Sequence, residues 1–139
     1  MIDPNLLSAF LNTKFIICGP HGEIVLRVGE RNPQLDDLLA TYRAMTCAFV
    51  TAWNPGSVRL TDAENAAQQS ALITEVRARG HSLLYGRGAG ESGAWPPEDS
   101  ILIIGISRTA ATEIGALFKQ IAIVFAERQQ AVELLLCRE

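Results

Sequence analysis

The run "TCAFVTAWNPGS" constrains this chain more than any other. From Thr46 to Trp53 the residues are mostly apolar on both alternating faces, with Cys47, Phe49, Thr51 and Trp53 on one and Ala48, Val50 and Ala52 on the other. A strand with that pattern has to be covered on both sides, so it belongs in the interior of a sheet with helices packed on its faces. Asn54-Pro55-Gly56 ends it abruptly, because proline cannot donate to the ladder and restrains the residue before it. "ILIIGI" at 101–106 reads as a second buried strand.

The remaining elements arrange themselves around these two. "KFIICGPHGEIVLRV" reads as two strands that reverse at Gly19-Pro20-His21-Gly22. "NPQLDDLLATYR" has Asn32 as N-cap, Pro33 at the first helical position, and Leu35, Leu38, Leu39 and Tyr42 on one face. The strongest helix runs from Thr61 to Arg79, opened by a Thr61–Glu64 capping box and stopped by Gly80. "RTAATEIGALFKQ" carries another, and a short one follows Pro4. A strand at 81–85 precedes a glycine-rich loop, and "IAIVFA" and "AVELLLC" are spaced for a terminal hairpin. This order predicts one α+β domain over 1–139. Its single mixed sheet would have about six to seven strands, with hairpins at both ends and three main helices on its faces.

Composition narrows the function classes. With 139 residues and 48% hydrophobic content the chain has enough apolar material for one core. A net charge of −3 gives no basic footprint for a phosphate backbone, so nucleic acid is not indicated as a partner. No aliphatic run approaches the roughly 18 to 20 residues that span a bilayer, so no membrane association is expected. "MIDPNLLSAFLNT" lacks the basic and apolar regions of a secretory signal. Cys18, Cys47 and Cys137 are odd in number and widely spaced, which disfavours a disulfide framework or a zinc site and fits the cytoplasm. Cys18 and Cys47 sit in strand-like runs, where a thiol usually behaves as a small buried hydrophobe. No cofactor is expected.

"GRGAGESGAWPPEDS", 86–100, contains Gly88-x-Gly90-x-x-Gly93, the letters of a dinucleotide fingerprint. That motif works by seating a pyrophosphate on the N-terminus of the following helix. Here prolines and a strand follow, so the match has no phosphate site to serve. The stretch is either a plain connection pinned by Trp95 or the wall of a binding site. On the helix after Thr61, Asn65 and Gln69 interrupt the apolar stripe of Leu72, Ile73 and Val76. Two amides there either cap backbone groups of the Asn54-Pro55 turn, the commoner role, or face a ligand. Glu98, between a proline pair and an apolar strand, is the candidate general acid or base, and pairing with Arg87 is the alternative. His21 and His81 have no nucleophile beside them.

"FVTAWNPGS", the downstream Asn65, "GAWPPEDSILIIGIS" and "FKQIAIVF", in this order and spacing, resemble a family of small bacterial proteins known only as a domain of unknown function. The polar positions that match its pattern are Thr51, Asn54, Ser57, Asn65, Glu98, Ser100 and Gln120. Lys119 and Ile121 stand where the family more often has glycine and asparagine. The resemblance implies a family and no activity.

Taken together, these positions suggest a small-ligand site, with Trp53 and Trp95 as walls and Thr51, Asn54, Asn65, Glu98, Ser100 and Gln120 as its polar groups. A planar polar molecule such as a nucleobase or nucleotide-like metabolite suits that set, with Glu98 available for catalysis. The rival expectation is a protein-interaction module, with the glycine-rich loop and the tryptophans as its partner patch.

Overall fold

The computed structural model describes residues 3–90 and 96–137. Along the chain these form α1 (Pro4–Leu11), β1 (Thr13–Gly19), β2 (Gly22–Leu26), α2 (Pro33–Thr41), β3 (Thr46–Val50), α3 (Asp62–Ala78), β4 (Ser82–Gly90), β5 (Glu98–Ile104), α4 (Arg108–Leu117), β6 (Ala122–Glu127) and β7 (Glu133–Leu136). The helix starts follow from their caps. Asn32 Oδ1 accepts from Leu35 N at 3.0 Å ahead of α2, and Thr61 and Glu64 form the full capping box of α3.

The seven strands form one sheet in the order β2-β1-β4-β5-β3-β6-β7, so the fold is α+β. Every neighbouring pair is antiparallel, which corrects the expected mixed sheet. The helical crossovers do join strands that run the same way, but each leaves a gap that an antiparallel strand fills. Thus β3 and β4 flank β5, while β5 and β6 flank β3. β3-α3-β4-β5-α4-β6 is therefore the split β-α-β arrangement, widened by the β1–β2 hairpin at one side and by β7 at the other.

Side chains alternate strictly between the two faces. Ala48, Val50, Ile101, Ile103, Ile123 and Phe125 meet Leu72 and Val76 of α3 and Ala111 and Ile114 of α4. On the opposite face Phe15, Ile17, Cys47, Phe49, Leu102, Ile104, Val124 and Ala126 meet Leu35, Leu38 and Leu39 of α2. Cys18 corrects the buried-thiol expectation: it is exposed, on the side of β1 that the core leaves to solvent. Cys47 does lie buried beneath α2, where burial, and then the Asp36 carboxylate, push its thiol up to about 12.

The sheet is curled. Laid flat, its outer strands would lie six spacings of about 4.8 Å apart, roughly 29 Å. Yet Gly29, three residues beyond β2, donates its N–H to Val132 O at 2.7 Å, and Val132, just before β7, donates to Glu30 O at 2.9 Å. Three residues reach only about 10 Å, so the sheet has to bend until its two edges meet. The result is a trough whose concave face holds α2.

Two strands outrun the sequence expectation. β4 continues from the expected 81–85 through Gly86 to Gly90, and β5 begins at Glu98 rather than Ile101. Glycine's weak strand preference suggests a loop, but pairing with β1 on one side and β5 on the other keeps these residues extended.

Candidate functional site

α2 fills only part of the trough. Along the strands the concave-facing residues are apolar under α2, and toward the other end most become small or polar, with Trp53 the large exception. The series are Cys47, Phe49, Thr51 and Trp53 from β3; Ile104, Leu102, Ser100 and Glu98 on β5; and Ala126, Val124, Ala122 and Gln120 from β6. On β4 the series is Leu84, Gly86, Gly88, Gly90, and on β1 it is Ile17, Phe15, Thr13. Where the side chains shrink, a cavity of about 840 Å³ opens, floored by Phe15, Phe49 and Val124 and roofed by Leu6, Ala9 and Phe10 of α1.

The glycine-rich stretch owes its meaning to this geometry. A Cβ on Gly86 would lie 2.9 Å from the Phe49 ring and closer still to Ile16 O, so glycine there is needed for packing. At Gly88 the nearest atoms are 3.9 and 4.0 Å away, at Thr13 and Phe15, and at Gly90 nothing lies within 4 Å. Neither has a positive φ. Among the described residues nothing requires glycine at 88 or 90, and what their missing side chains supply is open volume.

The polar end is built on one turn. Asn54 follows β3 in the left-handed region, φ 47, and donates its backbone N–H to Asn65 Oδ1 at 2.8 Å. Asn65 Nδ2 returns a bond to Asn54 Oδ1 at 2.9 Å, and Leu60 N–H donates to that same oxygen at 2.9 Å. With its oxygen used inward, Asn54 presents Nδ2 to Glu98 Oε2 at 2.6 Å. Thr51 Oγ1 donates to Asp99 O at 2.7 Å and accepts from Trp53 N at 3.0 Å, which holds the end of β3 against β5. Ser100 Oγ donates to the Glu98 carbonyl at 3.0 Å. Gln120 Nε2 donates to Trp53 O at 3.1 Å, and Gly56 N–H to Lys119 O at 2.7 Å, tying this turn to the end of α4.

Backbone strain gathers at this corner. Asn54, Ser57 (φ 62) and Lys119 (φ 59) are non-glycine residues in the left-handed region, and all three lie where the two turns meet. Glycine at position 119 would adopt that φ without a Cβ penalty.

Of the residues singled out in the sequence, Thr51, Trp53, Asn54, Ser57, Glu98, Ser100 and Gln120 line the cavity. Asn65 does not; it stands behind Asn54 and braces it. Gln69 faces away from the cavity: its Oε1 accepts from Ala52 N at 3.0 Å. Arg87 pairs with Glu23 at 2.9 Å on the other face of β4. Trp95 lies outside the described residues. The sequence offers the glycine-rich stretch as a possible wall without singling out Gly88 and Gly90, whose period-two spacing was the available signal, and it places a helix after Pro4 without assigning that helix to the site. Among the described residues lining the cavity, Glu98 is the one charged side chain, and Trp53 Nε1 is buried without a hydrogen-bond partner.

No helix among the described residues is long and apolar enough to cross a membrane, and none of their His, Cys, Asp and Glu side chains group to hold a metal ion. No curated protein and no solved structure matches the chain. One family model does, over residues 50–123, just over half the chain and a span that holds β4, the Asn54 turn, Glu98 and Gln120. By that match the chain belongs to the family described as "Protein of unknown function (DUF3293)".

Proposed function

We propose that this protein binds a small molecule with an apolar body in the open end of the trough, with its polar group turned toward Asn54, Glu98 and Gln120. The observation that carries the reading is the pair Gly88 and Gly90. Glycine in a strand forfeits roughly 0.5–1 kcal/mol against alanine, and here, among the described residues, the loss secures no turn and relieves no clash. Volume kept open at a cost in stability is the mark of a site that has to be occupied. A cavity of about 840 Å³ lies within the range of roughly 300–1,000 Å³ usual for ligand pockets. The nucleotide-like metabolite fits this lining less well. A phosphate calls for cations or a free helix N-terminus; the described lining has no Lys, Arg or His, and the first-turn N–H groups of Asn5 and Leu6 already donate to the Asp3 carboxylate.

The test pairs binding with stability. Wild type and Gly88→Leu are compared by native mass spectrometry after incubation with a metabolite extract, and by thermal melting. The expected result is a small-molecule adduct on the wild type that Gly88→Leu lacks while melting no lower. An adduct kept by Gly88→Leu, or no adduct and no melting shift from any fraction, overturns the reading.

A further inference from the structure

Resting on that reading, we infer that the ligand is an organic ammonium, with an aromatic or aliphatic body held on the Phe15–Phe49 floor and its cationic head against Glu98. Three observations converge on it. Glu98 is the one charged side chain among the described residues lining the cavity, so the charge those residues bring to it is negative. Asn54 is fixed by its reciprocal bonds with Asn65 and grips Glu98 Oε2 through Nδ2, so the carboxylate is placed before any ligand arrives. The cavity is also aromatic, with Phe15 and Phe49 edge to face at 5.4 Å between ring centres and Trp53 beside Asn54 on the rim. Aromatic faces joined to a carboxylate are the surroundings in which a desolvated ammonium group is stabilised. A carboxylate or phosphate ligand in the same place meets like charge with no cation in the described lining to offset it.

Three probes that share one body separate the charge from the cavity: 1-naphthylmethylamine, 1-naphthylmethanol and 1-naphthoate, titrated by their own fluorescence into the wild type, Glu98→Gln and Gly88→Leu. The amine is expected to bind the wild type at least about tenfold more tightly than the naphthoate, a difference of about 1.4 kcal/mol. Glu98→Gln should erase that preference, and a circular dichroism spectrum and cooperative melting like the wild type's show that the variant is folded. Gly88→Leu should weaken all three. Naphthoate binding as tightly as the amine, or an amine preference that survives Glu98→Gln, overturns the ammonium assignment while alcohol binding lost in Gly88→Leu leaves the cavity reading standing. If none of the three binds the wild type, both fall.

Discussion

The two ends of the concave trough are made from the same five strands and differ in what fills them. Under α2 the positions are Ile17, Leu84, Leu102, Ile104, Cys47 and Ala126, closed against Leu35, Leu38 and Leu39. Two to four residues further along the same strands they become Thr13, Gly88, Ser100, Glu98, Thr51 and Ala122, and no helix core descends to meet them. α1 covers that end, yet none of its residues is buried. One end follows the rule that interiors are close-packed and the other departs from it. The difference teaches that the cavity is written into the residue series of each strand, and is no accident of an ill-fitting helix.

The largest effect is expected in the filled end. Leu39 is fully buried, and Leu39→Ala should cost about 2–5 kcal/mol in urea unfolding, through lost transfer energy and the hole left beneath α2. Next comes the brace between the two ends. Asn65→Ala removes the partner of Asn54 N–H and one partner of Asn54 Oδ1, and should cost about 2–3 kcal/mol, with amide exchange at Asn54 rising most. A loss below about 0.5 kcal/mol would mean the turn holds its shape without the amide pair.

The sharpest contrast lies within β4. Gly86→Val forces a branched side chain onto the Phe49 ring and should lose about 1–3 kcal/mol, whereas Gly88→Val, on the same face two residues on, should be neutral or gain up to about 1 kcal/mol. Equal losses at both positions would erase the distinction between a filled and an open end. The smallest effect is at the rim. Lys119→Gly relieves the left-handed backbone and should raise stability by about 1 kcal/mol or less, read as a small upward shift in Tm.

Much of the filled end was legible in the sequence. The Asn32 cap and the Leu35–Leu38–Leu39 stripe rest on local chemistry and stand where their pattern puts them, as does the Thr61–Glu64 box on the opposite face, while the two-faced apolar run read from 46 to 53 forms a strand only to Val50. Thr51, Asn54, Glu98 and Gln120 were legible as polar residues at element ends, and the fold brings them to one cavity. The open end was harder, because a cavity is specified by what its residues lack. Gly88 and Gly90 carry no apolar signal, and an alternating glycine strand has the same composition as a loop until its neighbours are known. The antiparallel sheet was out of reach for a related reason. A crossover helix fixes the direction of the strand that follows it and says nothing about which strand slots into the gap.

Asn65 and Asn54 illustrate a different kind of dependence. The carboxylate of Glu98 is steered by a residue that touches neither it nor the cavity, through a chain of two amides whose other hydrogen-bonding groups are already spoken for. Glycines 88 and 90, by contrast, steer nothing and act only as a ruler. A side chain at position 88 would take up open volume and stand directly across from Glu98, its partner in the β4–β5 register. On the proposed reading, the volume and the charge of the site therefore lie on cross-strand neighbours of β4 and β5, and a substitution at either is felt by the other.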